Sequence, residues 1–320
     1  MVLILSDKND LSTCEVIFWI KKMGGDFMVI TEQDLIHLVE IDEDGHFTFT
    51  VKSRIVSSRE ISSYWYRRGK LTLEKKNLSS AEKLRGVKQL LESSLKIEMG
   101  RILSYLHSIL RKVNHIGGLY LSEINKLHVL NTCRELDIAI PASLVATRKS
   151  RLLQFFDKYE GVITKAATST IFAGNGEVHL AAYTEAIDFE MLSGLPDEFA
   201  PSFFQERIEK LVEIRSVYLE NEFYSMAIFS QRNKKTQVDF RHYDRSLPNR
   251  RVPFVLPQEY SEKVKSMLNK FNLNCCSVDT LVSRTGKFYF LEVNPVGQFG
   301  MTSYPCNYQI EKRIAEFLLK

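Results

Sequence analysis

Proline and glycine are scarce, 8 and 15 in a chain of 320 residues. That excludes collagen-like repeats and long flexible linkers. Cysteine is scarcer. Cys14, Cys133, Cys275, Cys276 and Cys306 make an odd number with no Cys-x-x-Cys pair, which argues against a disulfide framework or a zinc cage and fits reduced thiols in a cytoplasm. No apolar run near the amino terminus exceeds Val16 to Ile20, far short of the roughly 18 residues of a membrane helix. The opening Met-Val-Leu-Ile-Leu-Ser-Asp has no basic segment and no small-residue cleavage site, so it reads as a first strand and not as a signal peptide. An excess of one charge is also missing. Lys plus Arg total 43 against 39 for Asp plus Glu, a net +4, which gives no footprint for nucleic acid. What is plentiful is ordinary: 44% hydrophobic and 26% charged residues, enough for roughly two or three compact units.

Strand, polar turn, helix and strand alternate over Val2 to Ile30, which predicts an α/β unit with parallel strands. His37 to Ile41 and His46 to Val51 flank Asp42-Glu43-Asp44-Gly45, a hairpin loop. The longest helical periodicity runs from Leu78 to about Val113, and Gly117-Gly118 marks a boundary. A middle unit follows. It holds a helix over Ser122 to Asp137, an extended Ile138 to Ala146, a helix over Lys149 to Tyr159 and a strand over Gly161 to Ala166. A hairpin from Thr168 to Ile187 turns at Gly174-Asn175-Gly176. Beyond Leu195 the pattern is strand-rich, with helices over Pro257 to Phe271 and near the carboxyl end. The predicted domains are 1–117, 118–192 and 193–320.

Chemistry concentrates between Cys275 and Gly297. Two strand-like runs, Cys276 to Val282 and Lys287 to Asn294, flank Ser283-Arg284-Thr285-Gly286. A two-residue turn at Thr285-Gly286 would set Asp279 directly opposite Glu292, with Asn294 on the same face. Like charges directly opposite destabilise a sheet, so a cation is expected there. Two carboxylates and an amide oxygen are hard donors of the kind Mg²⁺ takes; a solvent-facing hairpin with unlinked acids is the other reading. Lys165, in Val162-Ile163-Thr164-Lys165-Ala166, needs an anionic partner or an exit to water. A nucleotide phosphate and an edge-strand lysine reaching solvent both satisfy that requirement. Phe203 to Ile208 reads as a strand entering a turn, with backbone groups available to the edge of a base.

Taken in order, Asn125-Lys126, Lys165, Gln205-Glu206-Arg207-Ile208, Glu213-Ile214-Arg215, Asp239-Phe240-Arg241, Asp279 and Glu292-Val293-Asn294 resemble the motif order of ATP-grasp ligases. The endings Phe290-Leu291-Glu292-Val293-Asn294-Pro295 and Ser303-Tyr304-Pro305-Cys306-Asn307-Tyr308, with Tyr64-Trp65-Tyr66-Arg67-Arg68-Gly69 near the front, resemble the grasp-with-spasm peptide maturases. These are relatives of the microviridin-type ligases that make graspetides. The resemblance spans nearly the whole chain. It implies an α+β ATP-grasp fold with an N-terminal α/β pre-ATP-grasp domain, a central domain and a C-terminal nucleotide- and metal-binding domain.

By motif position, Lys126 and Lys165 would contact nucleotide phosphates. Gln205, Glu206, Arg207 and Ile208 would form the adenine hinge, with Glu206 and Ile208 at the base. Glu213 would stand near the ribose, where the superfamily more often has Asp. Arg215 and Arg241 would face the phosphate and the activated carboxylate. Asp279, Glu292 and Asn294 would hold Mg²⁺.

The implied reaction uses ATP to convert a substrate Asp or Glu side chain into an acyl phosphate. A Thr or Ser hydroxyl, or a Lys amine, of the same ribosomal precursor peptide then displaces phosphate and closes a ring. Such chemistry depends on positioning and charge neutralisation and on exclusion of water; the Thr168 to Ile187 hairpin is the candidate lid. The partner implied is a precursor peptide with a leader and an acidic, Thr-rich core, and a homodimer is a further expectation. No nucleic-acid or membrane partner is expected. The rival readings are an ATP-grasp ligase that adds an amino acid to a protein or small-molecule carboxylate, and a non-enzymatic peptide-binding relative.

Overall fold

Four apolar residues open the chain as β1 (Val2–Leu5), and every one of their side chains is buried. A strand covered on both faces belongs inside a parallel sheet. The elements that follow are α1 (Leu11–Lys22), β2 (Phe27–Ile30), β3 (Leu35–Ile41), β4 (Phe47–Val51), β5 (Arg54–Ser57), β6 (Ser63–Tyr66), β7 (Thr72–Leu73), α2 (Lys88–Leu110) and β8 (Asn114–Ile116). Strands β2, β1, β6 and β8 lie in that order and run parallel. A second sheet has the order β5-β4-β3-β7; its β3–β4 hairpin turns at Asp42–Gly45 as expected, with Gly45 at a φ of +80°. The two sheets and the last turns of α2 share one core that includes Leu3, Leu5, Ile30, Phe47, Phe49, Tyr64, Leu106 and Leu110.

This computed structural model describes residues 1–74, 87–121, 124–167, 172–174, 179–181, 184–231 and 248–320. They form two compact units, one of Met1–Glu123 with Gln298–Gly300 and Gln309–Lys320, the other of Ile124–Gly297 with Met301–Tyr308. The first unit thus includes the C-terminal segment. Its helix buries Ile310, Ile314, Ala315 and Leu318 and packs against α1. The predicted helix from Leu78 is seen from Lys88, and residues 75–86 lie outside the described residues.

The second unit carries α3 (Lys126–Glu135), β9 (Ser143–Arg148), α4 (Lys149–Lys158), β10 (Val162–Thr164), β11 (Phe172–Gly174), β12 (His179–Ala181), β13 (Glu185–Ile187), α5 (Phe189–Gly194), β14 (Glu198–Glu206), β15 (Lys210–Leu219), β16 (Glu222–Phe229), β17 (Arg250–Phe254), α6 (Gln258–Lys270), β18 (Cys275–Ser283) and β19 (Phe288–Asn294). Then come α7 (Gly300–Cys306) and α8 (Ile310–Leu318), the C-terminal helix.

One antiparallel sheet has the order β13-β10-β14-β9 and buries Ala146, Leu152, Val162, Ile187, Leu192 and Phe204 with the apolar side of α4 and α5. Another has the order β17-β16-β15-β18-β19, with Val212, Ile214, Ala227, Leu256 and Val282 as its core. The candidate lid is not one long hairpin: β11 pairs with β12, while Glu185–Ile187 leaves to pair with β10. Residues 168–171, 175–178 and 182–183 of the predicted hairpin lie outside the described residues.

In the first unit the buried Tyr64 hydroxyl lies 2.8 Å from Nδ1 of His107. Burial holds His107 down from its ordinary 6.5 to about 4. Between those values the folded form binds fewer protons than the unfolded one. Stability is therefore full above about pH 6.5 and falls as pH drops toward 4, by about 3 kcal/mol in all. Denaturant titrations from pH 7 to 4 should show this slope, and His107→Gln should remove that part of it. An unchanged slope would count against a buried neutral imidazole.

Candidate active site

The loop between β18 and β19 differs from the two-residue turn assumed from the sequence. The Ser283 N–H donates to the Lys287 carbonyl and the Gly286 N–H to the Ser283 carbonyl, both at 2.9 Å, with Gly286 at a φ of +82°. This is a three-residue loop, Arg284-Thr285-Gly286, closed by a left-handed glycine. Near the loop the ladder is one residue off the expected register, so that Val282 faces Phe288 and Thr280 faces Phe290. A bulge then leaves Leu291 without a cross-strand partner. Beyond it Asp279 faces Glu292, and Ser277 faces Asn294. The two carboxylates meet because a bulge restores the residue that the longer loop removed.

Neighbouring cations relieve the repulsion between them. Arg215 on β15 is the cross-strand partner of Asp279 on the other side. Its Nη1 donates to both carboxylate oxygens at 2.9 Å. At the far end Nζ of Lys126 lies 3.2 Å from Oε2 of Glu292 and donates to the Ala166 carbonyl at 3.1 Å. The charges therefore alternate as Arg215, Asp279, Glu292, Lys126 in one row. The side chains are largely withdrawn from water, with exposures of 10% and 14% for the first pair and 14% and 21% for Lys126 and Glu292.

Lys126 is put there by a helix start. Asn125 caps α3, its side-chain oxygen accepting from the N–H groups of Leu127 and His128 at 2.9 and 3.4 Å. A lysine in the first turn opposes the helix dipole, and the Glu292 carboxylate offsets that cost.

Lys165 follows β10. Its N–H donates to the Phe203 carbonyl at 3.4 Å and its Nζ lies 5.9 Å from the centre of the Phe203 ring. Strand alternation places Lys165, Phe203 and Gln205 on the sheet face opposite Val162 and Phe204, the face turned away from the α4–α5 core. Gln205 is fully buried and donates to the Ser143 hydroxyl at 3.0 Å. Its Oε1 makes no hydrogen bond among the described residues.

Glu206 is tied into the same edge. Its N–H donates to the Ala142 carbonyl at 2.8 Å, and its Oε2 accepts from the Ala142 N–H at 3.1 Å. The Arg207 N–H goes to the Gly161 carbonyl at 2.9 Å, and Arg207 itself is exposed. Among the described residues nothing bonds to the N–H of half-buried Ile208.

Glu213 is buried two residues before Arg215, on the same face. Its Oε1 is bonded by Nζ of Lys210 and accepts from the Ser230 hydroxyl, the latter at 3.0 Å. Burial raises its pKa, against the opposing pull of Lys210. Lys210 was missed in the sequence because residues three apart on a regular strand point to opposite faces. The β15–β18 ladder shifts register between Lys210 and Val212. That bulge brings the ammonium round to Glu213.

Arg241 lies outside the described residues, as do Asp239 and Phe240. Among the described residues no three His, Cys, Asp or Glu side chains converge on one point; Asn294, two residues after Glu292, adds an amide on the same face. These donors fit a hard divalent ion, being two carboxylates and an amide on one strand-pair face. Asn294 is followed by a turn that closes onto Ser277, whose buried Oγ makes no hydrogen bond among the described residues. The Gly297 N–H donates to the Asn294 carbonyl at 3.1 Å, and a Cβ on Gly297 would stand 2.1 Å from that Oγ.

No protein-family model and no curated protein sequence matches the chain. Solved structures do. The macrocyclase MdnC from Microcystis aeruginosa MRC, bound with its precursor peptide MdnA, is 24% identical with a TM-score of 0.77, over 99% of each chain. A RiPP-associated ATP-grasp ligase from Chryseobacterium gregarium, in complex with ADP and a leader and core peptide, is 20% identical with a TM-score of 0.79, over 99% of this chain and 94% of that one. The ATP-grasp ligase PsnB, complexed with minimal precursor, Mg and ADP, is 16% identical with a TM-score of 0.71, over 99% of this chain and 96% of that one. The described residues have the ATP-grasp fold of these structures.

Gly297→Ala should force the turn after Asn294 off Ser277. The expected loss is about 1–3 kcal/mol, as for overpacking at a tight site. Ser277→Gly in the same chain should recover part of it, since it removes the atoms the new methyl meets. Denaturation midpoints of the single and double variants check this; equal midpoints for Gly297→Ala and the parent would show that the approach is looser than described.

Proposed function

We propose that the protein is an ATP-dependent macrocyclising ligase of the grasp-with-spasm type, which joins Asp or Glu side chains of a ribosomal precursor peptide to Thr or Ser hydroxyls or Lys amines. The observation that carries the proposal is the row Arg215–Asp279–Glu292–Lys126 with Asn294 on the same face, inside an ATP-grasp fold. The solved neighbours that carry precursor peptide, ADP and Mg support the same reading.

In this proposal Asp279, Glu292 and Asn294 hold Mg²⁺, which supplies charge neutralisation on nucleotide phosphates. Lys126 and Lys165 bind those phosphates. Ile208 offers its N–H, and Glu206 its carbonyl, to the edge of adenine. The exposed Arg207 borders this hinge, and buried Gln205 supports it. Glu213, fixed by Lys210 and Ser230, faces the ribose.

Arg215, with Arg241, binds the phosphoryl group as it moves to the substrate carboxylate. The carboxylate oxygen attacks the γ-phosphorus and ADP leaves. The hydroxyl or amine of the same peptide then attacks the acyl carbon, loses its proton, and expels phosphate as the ring closes. The chain's part is to hold these groups in line and keep water out.

The leader-bearing peptide is the partner we propose. The functional division we propose is 1–117, 118–192 and 193–320, with the last helix, α8, belonging by compactness to the first unit. A homodimer is part of the proposal, supported by Leu90 and Ile97, which α2 leaves exposed. A reducing cytoplasm is supported by five free cysteines. Among the described residues no helix is long and apolar enough to cross a membrane.

Incubation with ATP, Mg²⁺ and a short acidic, Thr-rich peptide encoded beside the gene tests the function. Each ring closed should cost the peptide the mass of one water and release one ADP. A gain of one amino-acid residue would instead identify the amino-acid ligase. No change with any acidic peptide and no ADP would leave a binding protein. Asp279→Ala and Asn294→Ala should each lower peptide-dependent ADP release by at least about a hundredfold; turnover equal to that of the parent would place the metal elsewhere.

A further inference from the structure

Oxygens proposed for the metal already carry bonded cations of the protein's own. Both oxygens of Asp279 accept from Nη1 of Arg215 at 2.9 Å. Oε2 of Glu292 lies 3.2 Å from Nζ of Lys126. Two carboxylates directly opposite on one ladder repel each other, and withdrawal from water strengthens that repulsion. The two ion pairs hold the strands together there. A divalent ion would supply the same neutralisation through the same oxygens, so the ion and the two side chains compete.

We infer that Lys126 and Arg215 are internal counterions, which a divalent cation has to displace, and that this displacement couples metal entry to nucleotide entry. The inference rests on the metal and nucleotide roles proposed above. A cation moved off its carboxylate where little water reaches requires another anion, or it is left desolvated and unpaired. Phosphate oxygens provide that anion. As they draw Lys126 and Arg215 away, Asp279 and Glu292 are released to the metal. As the metal takes the carboxylates, the two cations are released to phosphate. Because binding free energies are linked, each ligand tightens the other by one common factor.

The arrangement favours exchange over simple addition. Lys126 stands in the first turn of α3, where the helix dipole disfavours a cation. Its remaining bond is to a neutral carbonyl, that of Ala166, at 3.1 Å. Nε of Arg215 is buried and makes no hydrogen bond among the described residues. Both groups therefore have hydrogen-bonding capacity that an incoming oxyanion can satisfy.

Mn²⁺ is the probe, counted by electron paramagnetic resonance on the full chain without nucleotide. The parent should bind it weakly. Lys126→Met should bind it about tenfold more tightly, because one competing charge is gone, while its affinity for ADP falls. Arg215→Gln should move both affinities in the same directions, and it serves if Lys126→Met does not fold. Nucleotide-free Mn²⁺ affinity that is unchanged or weaker in a folded variant would overturn the inference. Adding Glu292→Gln to Lys126→Met separates the two ideas. If the tight Mn²⁺ is lost, the ion sits on this ladder and the exchange stands. If tight Mn²⁺ persists, the ion binds elsewhere and the metal reading itself fails, taking the inference with it.

Discussion

Two carboxylates face each other across a pair of β-strands in the second unit, and like charges so placed repel. Left alone, Asp279 and Glu292 would drive β18 and β19 apart at a point largely withdrawn from water. The fold answers with Arg215 from the next strand and Lys126 from the start of a helix. Each cation comes from a different element, so this neutralisation exists only once β15, β18, β19 and α3 are all in place. This row is also a stability element, and its two carboxylates are held in a bonded arrangement.

Register does the remaining work. Alternation is strict in a strand, so one extra residue moves every later side chain to the other face. Two bulges use this. The one at Leu291 brings Glu292 and Asn294 to the face of Asp279, and the one around Leu211 brings Lys210 to the face of Glu213. Other positions need no such device. Lys165, Phe203 and Gln205 share the face away from the α4–α5 core through plain alternation.

Much of this was legible in the chain. The parallel strands of the first unit follow from Val2–Leu5, an apolar run that no one-sided sheet could cover. The Asp42–Gly45 hairpin follows from its turn residues. Opposition of Asp279 and Glu292 was anticipated, though through a turn of the wrong length, since loop length and bulges depend on backbone geometry that composition does not encode. Glu177 to Ile187 is continuously strand-like in sequence and so predicts one hairpin, yet Glu185–Ile187 has its hydrogen-bonding partner in β10. Lys210 carried no signal, because its distance from Glu213 points the wrong way on an unbulged strand. The C-terminal helix could not be placed, since an apolar stripe states that a helix is buried and not against what.

By itself the sequence determined the α+β alternation, the order of its chemical residues and the presence of oxygen donors two apart near the carboxyl end. These are local properties, set by side-chain type and by periods of two and 3.6 residues. Only the tertiary structure decided which cation meets which carboxylate, where the strands bulge, and which unit receives the last helix. Those outcomes depend on contacts between residues far apart in the chain, such as Lys126 with Glu292 and Arg215 with Asp279. No local pattern specifies them, because their energy exists only when the elements have come together.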